Sequence, residues 1–151
     1  MSGSETHSGA TGFRLPRGIA LEMLRQALEE RPDEACGILA GGFDADRGAR
    51  AVAYHPARNA EASPYRYLVD SEDLVRIVFG IEEAGQELVG IFHSHTHTPA
   101  VPSPTDLRSA QYPDAYYLLA TLTDAEAPPE RALRAWRIRD GASTEVPLAI
   151  E

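Results

Sequence analysis

Only one cysteine, Cys36, stands in the 151 residues, so no intramolecular disulfide braces the fold and a reducing compartment suits the chain. No apolar run is long enough to cross a bilayer, because charges or histidines interrupt each of them. The N-terminal MSGSETHSGATG lacks the apolar core of a secretory signal, and the expectation is a soluble, cytoplasmic protein. Basic side chains are outnumbered: 14 against 23 acidic ones leave a net charge of -9. Such a surface repels phosphate backbones and anionic lipid, which argues against nucleic acid or a membrane as partner. What remains is ordinary for a globular domain, with 43% apolar and 25% charged residues and a length that supports one self-sufficient core.

Residues 1–12 are small and polar without periodicity and read as a disordered tail, leaving 13–151 as a single domain. From Arg17 to Glu30 apolar residues recur at fours, the stripe of an amphipathic helix that Pro32 ends. Cys36–Ala40 and Ala49–Tyr54 read as two strands joined by a polar, glycine-containing turn. Tyr65–Val69 reads as a further strand. Asp70 and Ser71 cap a helix carrying Leu74, Ile77, Val78 and Ile81, closed at Gly85. Leu88–Phe92 is a continuous apolar run, expected of a strand buried on both faces. A short helix starts at Ser103-Pro104-Thr105-Asp106 and stops at Pro113. Tyr116–Leu122, Leu133–Ile138 and Glu145–Ile150 complete an α/β domain with a mixed sheet.

The buried strand delivers His93-Ser94-His95 at its end. Residues two apart on a strand share a face, so both imidazoles can reach one point. Asp106 follows eleven residues after His95, across a loop whose prolines 99, 102 and 104 favour a tight return. Two histidines and one carboxylate leave a tetrahedral zinc one open position for water, the pattern of a catalytic site, where the water's pKa falls to about 7. Each piece has a plainer reading. A His-x-His pair at a strand end is often polar punctuation, and Ser-Pro-Thr-Asp is an ordinary helix cap.

Taken together, His-x-His, seven residues, then Ser-x-x-Asp resembles the JAMM (MPN+) zinc metalloprotease family, with His93, His95 and Asp106 on its ligands and Ser103 on its serine. The resemblance implies the MPN/JAB fold: a mixed, partly curled β-sheet flanked by helices, in a cytidine-deaminase-like arrangement. It also singles out Glu34, in Glu34-Ala35-Cys36-Gly37, as the general base that activates water, and Ser103 as hydrogen-bond donor to the oxyanion. A lone glutamate there is otherwise an ordinary surface residue. The stretch from Asn59 through Ser63 to Tyr67 resembles the substrate-groove wall of small bacterial members, although it also fits a plain loop. Cys36 heads an apolar run and reads as a buried, inert thiol. His97 extends the alternation and reads as a solvated loop histidine.

The chain is similar to the compact prokaryotic branch, including the sulfur-carrier-protein-cysteine hydrolases. That implies a zinc-dependent peptidase cutting after the Gly-Gly tail of a small ubiquitin-like or sulfur-carrier protein. Two rivals stand beside it. A metal-free MPN scaffold for protein–protein interaction would have lost ligands that are present here. A RadC-type DNA-associated domain shares the histidine pattern, but this chain lacks its Asn-Pro-Ser-Gly surroundings, and its net negative charge disfavours DNA.

Overall fold

The computed structural model describes residues 12–151; the expected tail, apart from Gly12, lies outside the described residues. Twelve elements follow in order: β1 (Phe13–Leu15), α1 (Arg17–Glu29), β2 (Cys36–Phe43), β3 (Ala49–Ala57), α2 (Ser71–Glu83), β4 (Glu87–His95), α3 (Pro104–Ser109), β5 (Tyr116–Thr121), α4 (Pro129–Ala132), β6 (Leu133–Arg139), β7 (Ala142–Val146) and β8 (Leu148–Ile150). None of the described helices is long and apolar enough to cross a membrane.

The eight strands form one sheet in the order β7-β6-β5-β4-β2-β3-β1-β8. It is mixed, since β4 runs parallel to β5 and β1 parallel to both β3 and β8, while the other neighbours are antiparallel. The ends of that order, β7 and β8, are consecutive in sequence with only Pro147 between them. The sheet therefore has to curl until its two edges nearly meet. Register shifts around Leu39, Ala40 and Gly41, against both neighbours of β2, supply local bends of the kind that bulges introduce.

Alternate residues of the central strands feed two cores. Leu39, Phe92 and Leu118 pack with Ala20, Met23 and Ala27 of α1 on one face. Ile38, Ile91 and Tyr117 pack with Ile77 and Ile81 of α2 on the other, where Leu107 of α3 joins them. Burial on both faces is why β4 reads as an unbroken apolar run rather than an alternation. The α2 helix starts where Asp70 accepts from the Asp73 N–H, and it ends at Gly85, whose φ of 71° suits the left-handed turn closed by Gln86 N–H to Ile81 O at 3.0 Å.

Two expected strands come out differently. Residues 65–69 form a loop with a single bridge, Asn59 to Val69, because the Asn59 carboxamide oxygen takes the N–H groups of Glu61 and Leu68 that a ladder would have used. The expected Glu145–Ile150 strand is split at Pro147, which has no N–H to donate, and its halves pair at opposite edges, β7 with β6 and β8 with β1. The Pro128-Pro129 turn also nucleates the short α4, with proline at its first position.

The glycine after Cys36 has a packing reason. A Cβ at Gly37 would collide with the ring and hydroxyl of Tyr54, which reaches across to the Gln26 side chain and, at 3.5 Å, to the Cys36 carbonyl. Gly37→Ala is therefore expected to destabilise the fold by about 1–3 kcal/mol through overpacking. A lower denaturant midpoint at constant m-value would register it; an unchanged midpoint would mean that the tyrosine has room to move.

Candidate metal centre

Strand β4 ends between two partners that hold it on both sides. Cys36 pairs with His93, and the Ser94 N–H donates to the Ala35 carbonyl at 3.0 Å, while His93 and His95 lie opposite Leu119 and Thr121 of β5. The proline-rich loop returns over this edge because it is pinned at several points: Thr121 Oγ1 to Thr98 O at 2.7 Å, Trp136 Nε1 to Ala100 O at 2.9 Å, and His95 Nδ1 to Pro99 O at 2.8 Å. The loop leads into α3, where Asp106 occupies the third position. There Ser103 Oγ accepts from the Asp106 N–H, and Asp106 Oδ2 accepts from the Ser103 N–H, each at 3.0 Å.

The same carboxylate oxygen lies 3.0 Å from His93 Nε2 and 3.1 Å from His95 Nε2, and one ligand atom from each of the three residues falls within 4.8 Å of the others. All three side chains are buried. The donor set fits a cation. A carbonyl acceptor at Pro99 requires a proton on His95 Nδ1, so neutral His95 turns the lone pair of Nε2 toward an anionic oxygen. A cation held by these residues would turn that opposition into an attraction, and the Pro99 carbonyl already fixes the His95 ring.

Without a cation, a proton on His95 Nε2 relieves that opposition, and the pKa directions follow. Burial drives His93 down despite its contact with Asp106. Burial also acts to lower His95, but hydrogen bonds to Asp106 and Pro99 and the charges of Asp106 and Glu34 outweigh it, and the net direction is up. Burial would raise Asp106; the hydrogen bonds from His93 and His95, their charge and the Ser103 N–H hold it well below the ordinary carboxylate range.

Glu34 sits beside this cluster, 3% exposed, on the segment entering β2. Its backbone is clamped: its N–H donates to Ser63 O at 2.8 Å, and its carbonyl accepts from Asn59 Nδ2 at 3.0 Å. Its side-chain Oε1 is buried and has no hydrogen-bond partner among the described residues, as is His93 Nδ1. Burial lifts the Glu34 carboxyl to about 8, with His95 opposing and Asp106 adding to the shift. A buried carboxyl group with no protein partner among the described residues, next to three converging ligand atoms and with its pKa moved toward neutrality, fits a proton-transfer role.

Of the expected groove residues, Tyr67 comes directly to the cluster, its ring stacked on His93 with centroids 4.2 Å apart. Asn59 and Ser63 bond to backbone groups instead: besides the Glu34 contact, Asn59 Nδ2 donates to Arg66 O at 3.1 Å, and Ser63 Oγ accepts from the Tyr65 N–H. Ser94 carried no role in the sequence reading, yet its buried hydroxyl accepts from the Ala35 N–H at 2.8 Å and ties the Glu34 segment to the ligand strand. Its only signal is its place between the two histidines. Cys36 is buried, with its thiol directed at the carbonyls of Ala57 and Arg58 and pushed up to about 12 by burial, which makes it a poor nucleophile.

Comparison with known proteins agrees with this architecture. The family described as prokaryotic homologs of the JAB domain matches residues 16–139. A CysO-cysteine peptidase of Mycobacterium tuberculosis is 43% identical over 128 residues, 85% of this chain and 84% of the relative. A desampylase of Haloferax volcanii is 41% identical over 96 residues, 63% of this chain and 67% of the relative. Among solved structures, a Desulfitobacterium hafniense protein superposes with a TM-score of 0.82 at 29% identity, covering 92% of each chain. A JAB1/MPN domain protein from Archaeoglobus fulgidus, at 18% identity and a TM-score of 0.54 over 92% of this chain and 99% of its own, shares the fold. The chain belongs to the prokaryotic JAB family.

Proposed function

We propose that this JAB-family hydrolase of peptide or isopeptide bonds is zinc-dependent and cuts after the Gly-Gly tail of a small sulfur-carrier or ubiquitin-like protein. The observation that carries the reading is the buried, unpartnered Glu34 carboxylate beside the convergent His93, His95 and Asp106. Those three residues would hold the metal, and zinc, when bound, supplies a Lewis acid that polarises the scissile carbonyl and acidifies water. Glu34 takes the proton of the attacking water and passes it to the departing amine. Relatives named as a CysO-cysteine peptidase, a desampylase and a TtuB-protein conjugate cleaving protease support the substrate class. Asn59, Ser63 and Tyr67 form the groove wall: Tyr67 borders the reacting centre, and the other two hold the wall against Glu34. A metal-free scaffold has no use for an orphaned buried carboxylate.

Ser103 accepts one hydrogen bond as helix cap and keeps its own proton for an oxyanion. Ser103→Ala is expected to lose about 0.5–2 kcal/mol of stability from the cap and roughly 10²–10³-fold in kcat from the missing donor. Stability loss with kcat intact would assign the hydroxyl to capping alone. The function itself is tested by mass spectrometry of carrier proteins ending in Gly-Gly plus a C-terminal extension, incubated with the zinc-loaded protein. Release of the extension that stops with chelator is expected; cleavage indifferent to chelation would overturn the zinc assignment, and no cleavage the substrate class.

A further inference from the structure

Two cavities are lined by neighbours of the candidate centre, and they differ in charge. The first, of about 300 Å³, is bordered by Tyr67, Ile38, Ile91 and Tyr117, and its one charged pair, Glu61 and Arg66, neutralises itself at 3.1 Å. The second, an open cleft of about 580 Å³, lies past the ends of β4 and β5 and is lined by Arg31, Pro32, Thr96, His97, Leu122 and Thr123. Its lining residues adjoin those of the centre along the chain. Thr96 and His97 directly follow the ligand His95, the Leu122 N–H donates to the His95 carbonyl at 3.0 Å, and Arg31-Pro32 immediately precede the Asp33-Glu34 pair.

In a chain of 23 acidic side chains, no carboxylate among the described residues lines this cleft. Arg31 is its fixed charge. Nε of that guanidinium donates to the Leu28 carbonyl at 3.1 Å, which steadies the stem, and no carboxylate pairs with it among the described residues. Most other arginines of the chain, such as Arg58, Arg76 and Arg134, are engaged by aspartate or glutamate. The terminal nitrogens of Arg31 thus offer a planar fork for a carboxylate from outside. Thr96 Oγ1 lies 2.8 Å from His97 Nδ1; with the hydroxyl donating, the other ring nitrogen of neutral His97 is a second donor.

We propose that this cleft is the leaving-group subsite and that Arg31 recognises the free α-carboxylate of a single departing amino acid. The inference rests on the proposed peptidase reading. In that hydrolysis the water oxygen bonds to the terminal glycine carbonyl carbon, the C–N bond breaks, and the proton taken by Glu34 goes to the departing α-amine. The departing residue keeps its carboxylate throughout, a short reach beyond the scissile nitrogen. A lysine side chain leaving from an isopeptide bond brings no carboxylate to that place. Arg31 therefore selects carrier–amino-acid adducts over protein conjugates.

The test uses the mycobacterial CysO protein extended by one C-terminal cysteine, prepared as the free acid and as the C-terminal amide. The zinc-loaded full chain is expected to favour the acid by about 10- to 100-fold in kcat/KM, the scale of a charge-assisted, forked hydrogen bond. Arg31→Ala should bring the acid down to the rate of the amide, and Arg31→Lys should restore part of the preference; all three proteins should melt alike because Arg31 is exposed. Titration calorimetry with Glu34→Gln should show the same acid-over-amide ratio in Kd without turnover. Equal treatment of acid and amide by the native chain, or an equal loss on both in Arg31→Ala, would overturn the subsite. If the native chain cleaves neither form, the peptidase reading fails, and the binding ratio still decides whether Arg31 reads a carboxylate.

Discussion

Glu34→Gln is expected to keep about one zinc per chain while kcat falls by roughly 10²–10⁴-fold. The substitution preserves size and the backbone clamp, since the contacts that position residue 34 run through its own N–H and carbonyl to Ser63 and Asn59. The side chain makes none of them. What glutamine removes is the ability to accept a proton, and the buried Oε1 has no other hydrogen-bond partner among the described residues whose loss could confuse the result. Metal content by atomic absorption, a thermal melt and turnover of a Gly-Gly-extended carrier separate these statements. Full turnover in this variant would remove Glu34 from the chemistry; loss of zinc would make it a ligand instead of a base.

Asp106→Asn should produce the other large effect: activity at background and zinc below roughly a tenth of an ion per chain, since a neutral amide replaces the anionic ligand. Asparagine keeps an oxygen where the Ser103 N–H donates, so α3 should still be capped and the chain folded. Melting temperatures give the second readout. Zinc bound to the native state stabilises it by mass action, so chelator should lower the melting temperature of the wild type and leave that of the variant unmoved. A variant that still binds zinc tightly would exclude Asp106 from the ligand set. Because Asp106 Oδ2 is shared by two imidazoles and the helix cap, the smaller aspartate-to-asparagine change reads metal loss with less disturbance than alanine would.

Much of the site is legible because strand and helix geometry translate spacing into direction. His93 and His95 share a face since side chains alternate along β4, and Asp106 lies in the first turn of a helix whose start is written in Ser103 and Pro104. Glu34 is different. Nothing in its neighbourhood separates it from Glu29 or Glu30 except resemblance, and its burial depends on a loop that begins at Asn59 and on a strand that ends at His95. The Tyr65–Val69 segment misleads for a related reason: its aromatic and branched residues favour a strand, but the Asn59 side chain captures the Leu68 N–H, and Tyr67 goes to His93 instead of into a ladder.

Periodicity, caps and prolines thus determine most of the elements and the directions in which His93, His95 and Asp106 point, because each depends on residues within a turn or two of one another. Tertiary structure alone decided which carboxyl group stands beside them without a partner among the described residues, how Ser94 and Ser63 hold it there, and that Arg31 lines a cleft with no acid among those residues. It also decided that the final strand would divide at Pro147 and draw the sheet nearly closed. Those outcomes rest on contacts between segments distant in the chain, and desolvation and hydrogen-bond satisfaction take their values only after the chain has packed.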